Sequence, residues 1–171
     1  MGLFSIFSKN NIGKEKQKNE LLVDFKNIDL QELLANSFNI SEREIEGTDG
    51  IILTDWEAYL LEKTVLGIFD TVQITLKGKE KQIRENDYIQ VAFFKIQPTT
   101  MQQNEYIVNS VAKICSIQND NWTDTDKMRI NSGVWRGRMF QHGDSTFYID
   151  LHAINGITLT ISGFNNFQRK I

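Results

Sequence analysis

Alternation of apolar and polar residues in the C-terminal third is the feature that most constrains the fold. A period of two is typical of a strand with one buried and one solvated face. The sequence predicts three such strands, over residues 133–140, 145–153 and 157–163. Short loops join them, so we expect an antiparallel meander.

The loops of this meander must keep the apolar residues on one face, because a slip of one residue turns every side chain over. A two-residue turn at Asn155-Gly156 would pair the apolar face of one strand with the polar face of the next. The sequence therefore predicts a three-residue loop over 154–156, with Gly156 in the left-handed region. This loop places Leu151 opposite Leu159.

The same parity argument applies to the preceding hairpin. It predicts a three-residue loop over 142–144 or a five-residue loop over 141–145. Either loop places Met139 opposite Phe147 and turns both Trp135 and Met139 towards the core.

This register gathers polar side chains on the reverse face of the meander. Arg136 would lie opposite Asp150, and Arg138 opposite Tyr148. The candidate binding residues on this face are Arg136, Arg138, Tyr148, Asp150 and His152. They could clamp an anion and transfer a proton, form a surface for a protein contact, or be the solvated face of an antiparallel sheet.

Two helices are predicted outside the meander. Asp29 has the position of an N-cap for a short helix over about 30–38, and Thr99 or Thr100 can cap a longer one over about 101–117. The order of elements favours an α+β fold with a single antiparallel sheet of about six strands, on which the longer helix packs. Residues 1–20 are predicted to be a flexible arm and 21–171 a single domain.

The N-terminal arm carries the large apolar residues Leu3, Phe4, Ile6 and Phe7 ahead of a lysine-rich stretch, and Leu3, Phe4 and Phe7 are the candidate membrane contacts. One interpretation is contact with an anionic membrane surface. The other, which we favour, is an arm that docks on the core or on a second copy of the chain, since seven residues make a weak amphipathic element.

Charge and composition argue against several classes of protein. Nineteen Lys and Arg against 22 Asp and Glu give a net charge of −3, so no cationic field favours nucleic acid. The single cysteine, Cys115, cannot form a disulfide within the chain. No apolar run approaches the ~18 residues of a membrane span, so a cytoplasmic location is expected. Residue spacing predicts neither a metal site nor a cofactor site.

The sequence lacks the common nucleophile and phosphate-binding motifs, which makes an enzyme less expected without excluding one. The favoured function is a non-catalytic cytoplasmic binding domain of the adaptor, chaperone or inhibitor type. It would recognise a protein partner or itself through the open sheet face or through aromatic residues near the C-terminus, Phe164 and Phe167. The alternative is a small enzyme, or a binder of an anionic small molecule, that uses the polar patch of the meander.

Overall fold

A computed structural model describes residues 19–46, 52–77, 88–117, 120–152, 155–163 and 167–168. Its helices are α1 (Leu30–Ala35), α2 (Met101–Ile114) and α3 (Asp124–Asn131). Its strands are β1 (Glu20–Leu21), β2 (Ile28–Asp29), β3 (Ser37–Glu46), β4 (Ile52–Val65), β5 (Phe69–Lys77), β6 (Tyr88–Phe94), β7 (Arg138–His142), β8 (Ser145–His152), β9 (Gly156–Gly163) and β10 (Phe167–Gln168). The fold is α+β, as predicted.

The main sheet is larger than the six strands predicted. Eight of the described strands belong to it, in the order β1-β4-β5-β6-β9-β8-β7, and β3 pairs with β4 beside this path. All its pairs are antiparallel except β1 with β4. The short strands β2 and β10 form a separate parallel pair. The predicted C-terminal meander is present as β7, β8 and β9.

The core contains one face of the central strands together with helix α2. Buried side chains alternate along β6, as expected for a strand with one face in the core. Fully buried residues of the sheet and helix belong to one cluster, which includes Val72, Val91, Phe93, Ile107, Val111, Ile149, Leu159 and Ile161.

Local capping signals place the helix starts correctly. The Asp29 side chain accepts a hydrogen bond from the Glu32 amide at 3.0 Å, and Thr100 with Gln103 forms a capping box at the start of α2. Both helices end about three residues earlier than predicted, at Ala35 and Ile114. Helix α3 has no apolar stripe, because Asp126 is its one buried residue, so periodicity does not reveal it.

The β8–β9 hairpin has the predicted odd loop, shifted by one residue along the chain. His152 pairs with Gly156 and Leu151 with Ile157, so the loop comprises residues 153–155 and the pairing of Leu151 with Leu159 is wrong. Parity is preserved, and the apolar residues share a face. Gly156 has φ +69°, and a Cβ there would collide with Thr99, so the bend requires glycine.

The β7–β8 hairpin contradicts the predicted odd loop. His142 pairs with Ser145 across a two-residue turn, Gly143-Asp144, and Gly143 with φ +62° occupies the position where such turns favour glycine. Phe140 therefore faces the core, whereas Met139 is 65% exposed.

Trp135 is buried, as predicted, but it lies in the loop before β7 rather than in the strand. The alternation breaks at Gly137, whose φ is +81°. A left-handed residue at that point reverses which face the following side chains occupy, so a pattern extended from Trp135 gives the wrong orientation for Arg138 and Met139.

Candidate functional site

The predicted polar patch on the meander forms only in part. Tyr148, Asp150 and His152 occupy alternate positions of β8 on the face away from the core, and Thr158 and Thr160 lie beside them on β9. The pKa of Tyr148 is raised, first by partial burial and then by the neighbouring Asp150 carboxylate. These side chains line an open sheet face that carries three hydroxyl groups, one carboxylate and one imidazole.

Arg136 does not complete this patch as predicted. It lies in the loop before β7, and its carbonyl accepts a hydrogen bond from the Tyr148 hydroxyl at 3.5 Å. The ion pairs found within the described part of the chain do not include one between Arg136 and Asp150. The Asp150 carboxylate instead accepts from the Leu151 amide at 2.8 Å. The predicted Arg136–Asp150 pair is therefore wrong.

His152 is held by the hairpin loop. Its Nδ1 accepts a hydrogen bond from the Asn155 amide at 3.1 Å. A base for proton transfer is usually oriented through this nitrogen by a carboxylate. Here a backbone amide donates to that nitrogen.

Arg138 lies on the opposite face from the one predicted. It pairs with Ile149, a core residue, instead of with Tyr148. Its guanidinium donates to both oxygens of Asp126, from Nε at 3.2 Å and from Nη2 at 2.8 Å, and it also contacts Asp120. This bidentate geometry is the strongest that arginine forms with a carboxylate.

Asp126 is the centre of this inner cluster, which we define as Arg138, Asp120, Asp126 and Trp135. The Trp135 Nε1 donates to Asp126 at 3.1 Å, and the Thr123 amide and hydroxyl donate to it as well. Burial alone would raise the pKa of Asp126, but the hydrogen bonds from Arg138, Trp135 and Thr123 outweigh it and hold the pKa well below its usual range. The inner cluster joins α3 and the preceding loop to β7, so its geometry is that of a structural contact.

The predicted aromatic contact near the C-terminus is wrong for Phe167. This side chain is 5% exposed, and its strand β10 pairs with β2, where Phe167 lies beside Ile28. Phe164 lies outside the described residues, as do Leu3, Phe4 and Phe7.

Cys115 follows α2 and is buried. Burial raises the pKa of its thiol to about 11, an effect that Lys26 only partly offsets. The thiol therefore stays protonated at neutral pH, and Cys115 behaves as a small apolar residue.

A surface that the sequence did not single out lies on strand β3. Within the described residues β3 pairs with β4 alone, so its other edge presents free backbone amides and carbonyls. Phe38 and Ile40 on this strand are 54% and 53% exposed. The register shifts between Asn39 and Ser41, which leaves Ile40 in a bulge.

The sequence contains a signal for this edge. Phe38 and Ile40 alternate with Asn39 and Ser41, which is the two-residue period of a strand. The signal is short, and it begins inside the segment over 30–38 that capping assigns to a helix. We call Phe38 to Ser41, together with its unpaired backbone, the β3 edge.

None of the helices among the described residues is both long and apolar enough to cross a membrane. The described residues contain no group of three or more His, Cys, Asp or Glu side chains that could hold a metal ion.

Comparison with known proteins adds no relative. No protein-family model, no curated protein and no solved structure matches the chain. The function must therefore be argued from the surfaces described above.

Proposed function

We propose that the chain is a non-catalytic binding domain of the adaptor, chaperone or inhibitor type, which recognises a protein partner along the β3 edge. One observation carries the proposal: an edge strand with a free outer side bears two large apolar side chains, Phe38 and Ile40, each more than half exposed. A cytoplasmic location remains the expectation from the sequence.

Strand addition is the mode of recognition that this surface fits. An extended segment of a partner can pair with the free amides and carbonyls of an edge strand, while alternate side chains supply specificity. A fully exposed Phe or Ile gains about 1.5–3 kcal/mol on complete burial, so side chains that are half exposed here would each contribute about 1 kcal/mol. Edge strands without a partner are usually blunted or covered, which is why an exposed apolar pair at this position favours a binding role.

The alternative function, a small enzyme or a binder of an anionic small molecule, has less support. It requires both arginines beside Asp150 and His152 on one face. Arg138 lies on the core side of β7, bound to Asp126. The remaining residues lie on an open sheet face, and a small-molecule site is usually concave.

The proposal is tested by affinity capture from the cells in which the chain is naturally made, followed by quantitative mass spectrometry. The full chain is compared with Ile40→Lys and with Met139→Lys. Met139 is a matched control because it is also exposed and apolar, but lies on β7 at the other edge of the sheet. Circular dichroism verifies that each variant is folded.

We expect the wild type and Met139→Lys to recover the same protein, and Ile40→Lys to recover about tenfold less of it, because a buried lysine at an interface costs more than 1.4 kcal/mol. Equal recovery by all three chains, or loss with Met139→Lys alone, would contradict the proposal. So would the failure of the wild type to enrich any protein over a bead control.

A further inference from the structure

A groove follows the segment over residues 19–26, and two of its three hollows also border helix α2. It consists of three adjoining hollows with volumes of about 700, 460 and 290 Å³. Leu66 lines all three, so the hollows meet at this side chain. Each of the two larger hollows has a volume within the range of about 300–1,000 Å³ that is typical of ligand-binding sites. The β3 edge contributes no residue to the groove.

Leu66 has an unusual backbone conformation. It precedes Gly67 in the turn between β4 and β5, and the two residues have φ of +54° and +63°. The Ile68 amide donates to the Val65 carbonyl at 3.1 Å and closes the turn. Asn-Gly is the usual pair at such a turn, and a leucine in the left-handed region costs about 1–2 kcal/mol. The strain places an apolar side chain at the junction of the hollows.

The walls of the groove are apolar at the bottom and polar at the rim. Val23, Leu66 and Ile114 are partly buried and pack against the core below it. Tyr106 of α2 lines the largest hollow and is 50% exposed. Glu20 is the one charged residue among those that line this hollow. The second hollow is lined by Asp24, Lys26 and Lys113 as well. Apolar or aromatic side chains of an occupant therefore fit the largest hollow, at Leu66 and Tyr106.

The geometry points to the apolar segment Leu3–Phe7 of the same chain as the occupant of this groove. Asn19, where the described residues begin, itself lines the largest hollow, so the preceding residues enter the structure at the groove. Five residues of fully extended chain span at most about 17–18 Å. The groove has a matching length, because the stretch of α2 from Gln102 to Ile114 measures about 18 Å at 1.5 Å per residue.

The tether has a suitable length. The eleven residues from 8 to 18 have a root-mean-square span of about 17–20 Å if they behave as a flexible coil. A segment held within such a distance experiences an effective concentration of about 1 mM, so even weak intrinsic affinity fills the groove. A membrane or a second copy must compete with this local concentration.

The test uses paramagnetic relaxation in the full chain. Ser5→Cys provides an attachment point for a nitroxide label, whereas Cys115 does not react because it is buried and its thiol is protonated. Amide intensities are then measured in the ¹⁵N-labelled chain. We expect the amides of Leu66, Gly67 and Tyr106 to lose most of their intensity, and that of Met139 to keep it. Adding Phe4→Asp and Phe7→Asp to the labelled chain should restore the groove signals.

Two results would overturn the inference. One is that the groove amides keep their intensity in the labelled chain, or lose it equally when Phe4 and Phe7 are replaced. The other comes from mixing spin-labelled chain without ¹⁵N with ¹⁵N chain without the label. If the groove amides are broadened to the same extent in this mixture, the segment of a second copy occupies the groove.

Discussion

The two edges of the main sheet differ in how their outward side is used. At β7, the Arg138 side chain is 20% exposed and the Asp126 side chain that it binds is 5% exposed, so charged groups from α3 and its preceding loop fasten this edge. Trp135 and Trp122 pack beside them with ring centroids 6.3 Å apart. At β3, Phe38 and Ile40 are more than half exposed, and no described strand continues the sheet.

This contrast distinguishes charged groups that stabilise the fold from a surface that a partner can bind. Two charged groups of the C-terminal third, Arg138 and Asp126, form an ion pair with each other at β7. Both edge strands have an outer backbone that no described strand pairs, and β3 differs from β7 in bearing two large exposed apolar side chains, Phe38 and Ile40. Charged residues therefore mark the β7 edge, where they bind one another. The surface that a partner can reach is marked instead by apolar side chains on an edge strand.

The largest expected effect is at the fastened edge. Arg138→Met should lower the free energy of unfolding by about 3–5 kcal/mol, because it leaves the buried Asp126 carboxylate without its partner. Met139→Lys, the adjacent exposed position, should change it by less than about 0.5 kcal/mol. Urea denaturation of the two variants measures both values. A loss below about 1 kcal/mol for Arg138→Met would mean that the inner cluster does not fasten the edge.

Gly137→Ala tests the residue whose left-handed conformation determines which face of the sheet the β7 side chains occupy. Its φ of +81° strains any other residue, and a Cβ there would collide with the Ile149 carbonyl. We expect a loss of about 3 kcal/mol in unfolding free energy.

Gly133→Ala is the matched control for Gly137→Ala. Gly133 has φ +67° but open space around a Cβ, so strain alone applies and the loss should be about 1 kcal/mol. Thermal or urea unfolding compares the two variants. Equal losses of unfolding free energy in the two variants would show that close contact with the Ile149 carbonyl does not add to the cost of Gly137→Ala.

The pH dependence of stability tests whether the Asp126 carboxylate stabilises the folded chain in its ionised form. Its pKa is lower in the folded chain than in the unfolded chain, where a value near ~3.9 is usual. The unfolded state therefore binds more protons in acid, and the contribution of Asp126 is fully present above that pH and is lost as the pH falls below it. Between pH ~6 and pH ~2 the wild type should lose about 2 kcal/mol more than Asp126→Asn. Parallel profiles from urea titrations would contradict the assignment.

The smallest expected effect on stability is at the free edge. Ile40→Lys should change the free energy of unfolding by no more than about 0.5 kcal/mol, since the side chain is already 53% exposed. The same substitution should nevertheless lower partner recovery about tenfold in the capture experiment. If Ile40→Lys lowers the free energy of unfolding by about 2 kcal/mol or more, Ile40 belongs to the core and the β3 edge is not a free surface.

Local signals in the sequence predict more of this fold than long-range ones. The caps Asp29 and Thr100 involve residues three positions apart, and both helix starts follow from them. Parity also predicts that the β8–β9 loop is odd. The register itself is wrong by two residues, because the alternation is equally satisfied by loops over 153–155 and 154–156, and packing of Gly156 against Thr99 selects the first.

The candidate patch could not be predicted in full, for a physical reason visible at Arg138. Its orientation depends on Gly137, whose left-handed conformation interrupts the alternation, and on Asp120 and Asp126, which approach from a separate element. The two-residue period of apolar residues predicts neither the left-handed conformation of Gly137 nor the position of the two carboxylates. Tyr148, Asp150 and His152 do share a face as predicted, because the alternation along β8 is unbroken.

Hydrogen exchange of the backbone amides of β3 tests the central claim most directly. The exchange rates of Phe38 to Ser41 are compared in the free chain and in the complex recovered by the wild type. The account predicts that amides on β3 exchange about tenfold or more slowly in the complex, because a partner strand now pairs with them, while those of β7 do not change. Unchanged exchange on β3, or slowing confined to Tyr148–His152, would contradict it.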